Sequence, residues 1–248
     1  MPQRLSNKEL AHLPKEVARP GYDRSKVTPG ILHFGVGAFH RSHQALTIDR
    51  LLEKGLANDW GIIGVGLLAG DSKMRDALNP QDCLYTLITK HSDGKVDYQV
   101  IGSIISYLFA PDSPAKVIEA ICDPAIRIIS LTITEGGYSF DRVTGEFDPT
   151  TASVAHDLKD SSSPVSAFGF IYEGLKKRKE LGLPAPTIQS CDNIQGNGDV
   201  AKKMMVAFAK LKDPQFADWM EANVAFPNSM VDRITPQTAP GDIRSEEH

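Results

Sequence analysis

The 248-residue sequence predicts an α/β domain built on a doubly wound, mostly parallel sheet. Apolar runs of strand length recur along the chain, which is typical of strands buried on both faces. These runs cover residues 31–34, 60–67, 126–133 and 186–190. Segments with helical periodicity separate several of them, and polar or glycine-containing loops follow them. In an open parallel sheet, ligands bind at the carboxyl ends of the strands, so these loops are the first candidates for a functional site.

Composition narrows the class of protein. The chain is 41% hydrophobic and 23% charged, which is typical of a globular protein, and its net charge of −4 gives no electrostatic basis for binding nucleic acid or an anionic membrane. No apolar run reaches membrane-spanning length, and residues 1–4 do not begin a signal peptide. The cysteines are odd in number and far apart, and the histidines form no metal signature. We therefore expect a cytoplasmic protein with free thiols, no metal, and neither a nucleic acid nor a membrane as partner.

Two closely spaced glycines follow the first buried strand. Residues 31–34 lead into Gly35-Val36-Gly37, and a helical pattern follows through Ala45 and Leu52. The first glycine permits a tight turn, and the second lets the backbone approach a pyrophosphate at the start of a helix. This pattern predicts a Rossmann-type dinucleotide site. His40 replaces the third glycine of G-x-G-x-x-G, so the match is partial, and an ordinary strand-to-helix turn is the alternative.

An acidic residue follows the second strand. In dinucleotide folds such a carboxylate accepts hydrogen bonds from the ribose hydroxyls of adenosine and repels a 2′-phosphate. Asp71 fits this role, although it lies farther from the glycines than the usual spacing of about 20 residues. The alternative is that Asp71 caps the helix through Met74 and Ala77. Lys73 and Arg75 lie nearby and leave NADP open as the cofactor.

The remaining pattern divides the chain into an arm and one domain. Residues 1–29 contain several prolines and little periodicity, which predicts an irregular arm, and residues 30–248 form the dinucleotide-binding domain. Residues 84–90 and 96–105 are predicted to be strands around an Asp-Gly turn, and we expect this antiparallel hairpin to extend the sheet. The basic run at 176–179 is interpreted as a solvated helix end.

Polar residues follow two later strands. Glu135-Gly136-Gly137 comes after the strand at 126–133, and Asp192-Asn193 comes after the strand at 186–190. Because parallel strands end at one edge of a sheet, we expect these loops to lie near the glycines. Asn193 can donate an amide N–H to a carbonyl oxygen that gains negative charge as hydride arrives. The alternatives are a solvated loop charge at Glu135 and an Asx turn at Asp192-Asn193.

Four of these stretches, in this order, resemble the polyol-specific long-chain dehydrogenases/reductases, the mannitol dehydrogenase family. The stretches are residues 34–41, 131–138, 190–193 and 226–236. The last stretch is the most distinctive, because no general requirement of the fold dictates it. The resemblance also accounts for His40, since the family has histidine at that position.

The resemblance implies NAD-dependent interconversion of D-mannitol and D-fructose, with fructuronate or tagaturonate reduction as the alternative within the family. It implies catalytic roles for Asn193 at the reacting oxygen, for Asp232 in orienting the site, and for Glu135 near the nicotinamide and the proton path. Asp71 corresponds to the acid that favours NAD over NADP. The implied cofactor-binding residues are Phe34, Gly35, Val36, Gly37, Ala38, Phe39, His40 and Arg41. The resemblance also suggests a monomer.

One departure from the family bears on activity. The family's catalytic base is a lysine in a K-x-x-x-x-N-x-x-H pattern on a helix of a second domain, and no lysine of this sequence begins that pattern. We therefore expect that the C-terminal helical domain of the family is absent, and that this chain alone binds NAD weakly and turns over little or no mannitol. Two alternatives from other classes are a methyltransferase that uses S-adenosylmethionine and a non-catalytic nucleotide-binding module.

Overall fold

The computed structural model describes residues 4–141, 143–231, 233, 235 and 236. The strands are β1 (Val17–Ala18), β2 (Pro29–Phe34), β3 (Gly61–Gly66), β4 (Tyr85–Lys90), β5 (Val96–Ile101), β6 (Ile104–Phe109), β7 (Ile128–Leu131) and β8 (Thr187–Ser190). The helices are α1 (Ala38–Ser42), α2 (Gln44–Glu53), α3 (Ser72–Leu78), α4 (Pro114–Ile121), α5 (Ala152–Lys159), α6 (Ala167–Glu180), α7 (Asn197–Lys212) and α8 (Pro214–Asn223). Within the described ranges, no helix is long and apolar enough to cross a membrane.

The main sheet has five parallel strands in the order β6-β3-β2-β7-β8. The main sheet begins at the central strand β2, continues outward through β3 to β6, and then adds β7 and β8 on the other side of β2. The strand order therefore reverses between β2 and β7, which is where ligands bind in doubly wound sheets. The predicted fold class is confirmed.

Apolar side chains cover both faces of this sheet. Ile31 belongs to one buried cluster, which includes residues of α2 and α3, whereas Leu32 and Phe34 belong to another, which includes residues of α4, α6 and α7. Alternate residues of a strand point to opposite faces, so the two clusters lie on opposite sides of the sheet. This two-sided burial explains why the strands are continuous apolar runs rather than alternating ones.

The predicted hairpin exists, but its expected attachment to the main sheet is wrong. β4 and β5 pair antiparallel, and β1 adds to β5 in parallel to form a separate three-stranded sheet. The predicted strand 96–105 breaks in its middle, and its second part becomes β6 of the main sheet. Hydrogen bonds explain the break: the Asp49 carboxylate accepts the N–H of Gly102 at 2.8 Å, and the Ser103 hydroxyl donates to the carbonyl of Ala45 at 2.7 Å. These bonds hold Gly102 and Ser103 against α2, at the point where the chain passes from the three-stranded sheet to the main sheet.

The N-terminal arm is fixed to this same junction. The Tyr22 hydroxyl donates to Asp49 Oδ1 at 2.6 Å, and burial raises the pKa of this phenol. The Arg24 guanidinium donates to the carbonyls of Gly102 and Ile104 at 2.9 and 3.0 Å. The described part of the arm is therefore bonded to the start of β6 and to α2, even though its own structure is largely irregular.

The basic run at the end of α6 is not wholly solvated. Lys176, Lys177 and Lys179 are exposed as expected, but Arg178 is only 1% exposed. Its guanidinium donates to the carbonyls of Ile121, Asp123 and Pro184 at 2.7, 2.8 and 2.9 Å respectively. Arg178 thus bonds carbonyls at the C-terminal end of α4, which would otherwise be buried without a donor. The interpretation of this residue as part of a solvated end is wrong.

Replacing Arg178 should therefore destabilise the fold. Arg178→Met keeps most of the side-chain volume but removes the donors of three hydrogen bonds, so we expect the free energy of unfolding to fall by about 3 kcal/mol. Urea denaturation measures it. The matched control is Lys176→Met in the same run, which should change stability by less than about 0.5 kcal/mol because the side chain is exposed. Equal stabilities of the two variants would contradict this role.

Candidate functional site

The loops after the parallel strands meet at the carboxyl edge of the main sheet. Phe34, the last residue of β2, pairs in register with Val65 of β3 on one side and Leu131 of β7 on the other. The three strands therefore end at the same level. The glycine loop, residues 35–37, leaves β2 at the point where the strand order reverses, so it lies where the crevice of a doubly wound sheet forms.

The backbone of the glycine loop requires its first glycine. Gly35 has φ +91°, in the left-handed region, and a Cβ atom there would lie 2.1 Å from the carbonyl oxygen of Thr132. Gly37 differs: it has φ −83°, is the N-cap residue before α1, and is exposed, with the nearest atom 3.9 Å from a built Cβ. The first N–H groups of α1 have no acceptor within the helix. The loop therefore offers open space and backbone donors beside Gly37.

Several predicted cofactor-binding residues have side chains that point into the protein. Phe34, Val36 and His40 are 0%, 6% and 1% exposed. These residues can reach a ligand only through their backbone atoms. Ala38 is exposed and Phe39 is half-buried, with its ring 4.6 Å from that of His43. The side chains of Ala38 and Phe39 are therefore the ones in this stretch with access to the crevice.

Arg41 stabilises the glycine loop from behind. Its Nη1 donates to the carbonyl of Val36 at 2.9 Å, and its guanidinium lies 5.9 Å from the centre of the Tyr85 ring. The Tyr85 hydroxyl in turn donates to the carbonyl of Arg41. Because its guanidinium is used in these contacts, Arg41 fixes the shape of the loop. Its predicted contact with a cofactor stays a prediction.

A buried polar network underlies the glycine loop, and sequence reasoning missed it. The rings of His33 and His40 stack with centroids 3.5 Å apart. His33 Nδ1 lies 2.8 Å from Ser130 Oγ, and its Nε2 lies 3.1 Å from the carbonyl oxygen of Gly35 and 3.0 Å from Thr132 Oγ1. We name His33, His40, Ser130 and Thr132 the histidine network. A histidine within the apolar run 31–34 is the signal that could have revealed it.

The two imidazoles of this network are neutral near neutral pH. Burial lowers the pKa of His33 to about 3. Burial and the neighbouring His33 lower the pKa of His40 well below its ordinary value. His40 Nδ1 lies 2.9 Å from Gln44 Oε1, an acceptor, so Nδ1 carries the proton. Its Nε2 is buried and has no hydrogen-bond partner among the residues the structure describes. His40 is thus a core residue beneath the loop.

Asp71 lies beside the carboxyl end of β3 and occupies the N-cap position of α3, as the alternative interpretation held, but its side chain forms no capping hydrogen bond with α3. A Cβ built on Gly66, the last residue of β3, would lie 2.7 Å from Asp71 Cβ. Asp71 Oδ2 accepts the N–H of Leu68 at 2.9 Å within the short 3-10 turn that precedes α3. The Tyr107 hydroxyl donates to the Asp71 carbonyl at 3.3 Å. These bonds hold a half-buried carboxylate at the edge where a ribose would lie.

Asp192 organises the other side of the crevice. It is 7% exposed, and its Oδ1 accepts the N–H of Thr134 at 2.8 Å. Its Oδ2 accepts the N–H of Ile133 at 3.1 Å and the hydroxyl of Tyr138 at 2.8 Å. Burial raises the pKa of this carboxyl, and the three donors oppose that rise. Asp192 thus links the loop after β8 to the loop after β7.

The loop that Asp192 holds is strained. Thr134 has φ +62°, an uncommon conformation for a residue with a branched side chain, and such positions cost about 1–3 kcal/mol. Glu135 follows directly and begins the 3-10 turn Glu135–Tyr138. Glu135 is exposed at the carboxyl edge. The position of Glu135 therefore depends on the hydrogen bonds that Asp192 accepts.

Asn193 is exposed next to Asp192, and its amide forms no hydrogen bond with the rest of the described chain. The structure thus places two of the three predicted catalytic residues, Glu135 and Asn193, on adjacent loops joined through Asp192. The third, Asp232, lies outside the described residues. The roles predicted for these residues stay predictions.

The segment at 226–236 has a structural role in its first half, contrary to our expectation. Asn228 Oδ1 accepts the N–H groups of Gly198 and Asp199 at 2.8 and 3.2 Å, and so caps α7. A Cβ on Gly198 would lie 2.4 Å from the Pro227 carbonyl oxygen, so the segment packs directly on the helix start. The buried Asn197 amide donates to the Ser229 carbonyl at 2.8 Å. The fold therefore dictates part of this motif.

The same segment then returns to the glycine side of the edge. Thr235 Oγ1 lies 2.7 Å from Ser42 Oγ and 3.2 Å from His43 Nε2, at the junction between α1 and α2. Partial burial and the charge of Arg233 lower the pKa of His43. Within the described residues, Asn228 and Ser229 therefore contact the start of α7, and Thr235 contacts the junction of α1 and α2 that follows the glycine loop.

The strand order, the glycine loop at its reversal and the polar loops at one edge define an α/β domain of the Rossmann type. The chain belongs to the mannitol dehydrogenase family: the family model described as the mannitol dehydrogenase Rossmann domain matches residues 29–247. This confirms the family resemblance and sets aside the methyltransferase interpretation.

Known relatives support this assignment along the chain. It is 45% identical to the polyol:NADP oxidoreductase of Gluconobacter oxydans over 94% of its length, and 46% identical to a mannitol 2-dehydrogenase of Cereibacter sphaeroides over 91%. The solved structure of Pseudomonas fluorescens mannitol 2-dehydrogenase, a ternary complex with NAD and D-mannitol, superposes with a TM-score of 0.93 at 46% identity over 96% of this chain. The chain spans 48%, 47% and 49% of these proteins, about half their length.

The neutral histidines predict a pH-dependent stability. Unfolded histidine binds a proton below about pH 6.5, whereas His33, with a pKa of about 3, does not bind one in the fold. The unfolded state then binds more protons, so the free energy of unfolding falls as the pH falls. For His33 alone the loss is about 2 kcal/mol at about pH 5, and His40 adds to it. Urea denaturation between about pH 7.5 and about pH 5 measures this fall.

A pair of variants assigns the effect to the network. His40→Phe should make the pH dependence shallower, because one group that protonates only on unfolding is removed. His12→Gln, at a histidine whose side chain is 72% exposed, is the matched control for removing a histidine outside the network. A His40→Phe variant as steep as the parent chain would contradict the interpretation.

Proposed function

We propose that this chain binds NAD and forms the cofactor-binding part of a polyol dehydrogenase that interconverts D-mannitol and D-fructose. The observation that carries the proposal is the glycine loop: at Gly35 the backbone excludes any side chain, and beside Gly37 it leaves open space at the start of a helix. Both features lie at the reversal of strand order, where dinucleotides bind in doubly wound sheets.

The residues of the edge fit a dinucleotide. The open backbone at Gly37 and the free N–H groups of α1 suit a pyrophosphate, and the Asp71 carboxylate suits the ribose hydroxyls of adenosine. Bound NAD supplies a nicotinamide ring that accepts hydride from an alcohol carbon. The half-buried Phe39, which follows the glycine loop, and the loop after β7, which contacts Gly35, would help to exclude water from that ring.

Exposed side chains on the loops at the carboxyl edge of the sheet suit the substrate. Asn193 can donate its amide N–H to the oxygen of the reacting carbon, which becomes more negative as a ketone is reduced. Asp192 is a positioning residue, because it fixes both the loop that carries Asn193 and the loop that carries Glu135. Asp232 is proposed as a further orienting carboxylate. The relatives are named for polyols rather than uronates, which favours a polyol substrate.

Titration of the chain with NADH tests the cofactor site, and Gly37→Val gives the sharpest variant. The new side chain has room in the protein, so we expect normal folding. It fills the space that a pyrophosphate needs, so the affinity for NADH should fall by at least about tenfold, or about 1.4 kcal/mol. Fluorescence of NADH measures binding, and circular dichroism measures folding.

Gly55→Ala is the control, since Gly55 lies in the turn after α2 with φ +67° and no atom within 4 Å of a built Cβ. It should lose about 1 kcal/mol of stability through backbone strain and bind NADH as the parent does. If Gly37→Val binds NADH as tightly as the parent chain, the glycine loop is not the pyrophosphate site.

A further inference from the structure

Arg75 lies one helical turn after Asp71, on α3, and two carboxylates pair with its side chain. Arg75 lines a cavity of about 150 Å³ together with Tyr107, Phe109, Asp112 and Lys116. The Tyr107 hydroxyl donates to the carbonyl of Asp71, which connects this cavity to the proposed ribose site. Arg75 is therefore near the position where the adenosine 2′ substituent of a dinucleotide would lie.

The contacts of Arg75 are specific. Its Nε lies 2.8 Å from Asp76 Oδ1 and its Nη1 lies 2.8 Å from Asp112 Oδ2, while its guanidinium lies 4.8 Å from the centre of the Phe109 ring. The side chain of Arg75 is 30% exposed, and that of Asp112 is 57% exposed. The guanidinium is thus held against Phe109, and its charge is balanced by carboxylates on both sides.

The two carboxylates act differently on Arg75. Asp76 is its neighbour on α3. Asp112 belongs to the turn after β6, where its N–H donates to the carbonyl of Phe109 at 3.1 Å. Asp112 therefore pulls the outer end of the guanidinium across the cavity, away from α3 and towards β6. Loss of its charge would release Nη1 while leaving the Asp76 contact at Nε.

We propose that Asp112 is a specificity-determining residue, which restrains Arg75 and so keeps it from binding the 2′-phosphate of NADP. The inference rests on the cofactor site proposed above. A 2′-phosphate is bound in such folds by an arginine near the ribose acid, through charge-assisted hydrogen bonds. Here Asp76 and Asp112 both pair with the arginine, and Asp71 precedes it by one helical turn at the start of α3. The chain therefore favours NAD.

Relatives of this chain are associated with different dinucleotides. The Gluconobacter oxydans protein is named for NADP and is 45% identical to this chain, whereas the Pseudomonas fluorescens structure contains NAD at 46% identity. Overall similarity therefore does not separate the two cofactors. Side chains near the ribose must do so, because the pyrophosphate is common to both.

Asp112→Asn in the full chain tests the proposal. Titrations with NADH and NADPH at low salt should show NADPH binding about fivefold tighter than in the parent, the scale of one exposed ion pair. NADH binding should stay within about twofold, because NADH has no 2′-phosphate. The gain for NADPH should shrink at high salt, as expected for exposed charges.

Asp59→Asn is the matched control. Asp59 Oδ2 lies 2.8 Å from Arg127 Nη1, and its side chain is 62% exposed, so the same change breaks a similar pair. Asp59 precedes β3 at the opposite edge of the sheet, so neither dinucleotide should bind differently. A second comparison uses Arg75→Ala, in which adding Asp112→Asn should give no gain for NADPH.

Each outcome separates this inference from the proposed function. A parent chain that binds neither dinucleotide contradicts the cofactor site and this inference with it. If NADH binds but NADPH affinity is unchanged in Asp112→Asn, the restraint on Arg75 is wrong and the cofactor site stands. Equal tightening of NADH and NADPH, or a gain that persists after Arg75→Ala, would also contradict the restraint, since either would show a general effect of charge.

Discussion

The close approach of Gly35 to Thr132 is the contact on which the rest of the site depends. It brings the end of β2 against the end of β7, with no space for a side chain between the two backbones. Beneath it, His33 contacts the Gly35 carbonyl, Thr132 and Ser130, so that buried polar groups of both strands are hydrogen-bonded. A neutral imidazole suits this place, because a charge there would be buried without a counter-charge. These contacts fix the conformation of the glycine loop at the point where the strand order reverses.

On the other side of the crevice, Asp192 is likewise a buried polar group that hydrogen bonds stabilise. Burying a carboxylate is unfavourable unless donors surround it, and here two backbone N–H groups and a phenol do so. These bonds hold Thr134 in a strained conformation that the local sequence would not adopt alone. Strain is a usual feature of functional loops, and here it sets the position of the exposed Glu135. Side chains that face the crevice are thus placed by buried neighbours.

Apolar runs and paired glycines in the sequence correctly predicted those strands and loops whose formation depends on neighbouring residues. The apolar runs at 31–34, 126–133 and 186–190 gave β2, β7 and β8, and the paired glycines gave the loop. The division of 96–105 between two sheets could not be predicted, because its apolar pattern continues across the break; the cause is Asp49, far away in the chain. The prediction that Arg178 is solvated failed for a related reason, since a carbonyl that accepts its hydrogen bond lies at the end of another helix. His40 belongs to the stretch that is predicted to bind the cofactor, yet its ring is in the core.

In the proposed complex, the backbone of the glycine loop and the side chains near the ribose recognise different parts of the dinucleotide. A pyrophosphate is the same in every dinucleotide, and in the proposed site it would accept hydrogen bonds from the backbone N–H groups at the start of α1. The proposed discrimination at the ribose then falls to exposed carboxylates and Arg75, whose replacement disturbs no buried contact of the glycine loop. This arrangement allows the choice of dinucleotide to change without altering the fold. It is consistent with relatives of nearly equal similarity that are associated with NADP in one case and NAD in another.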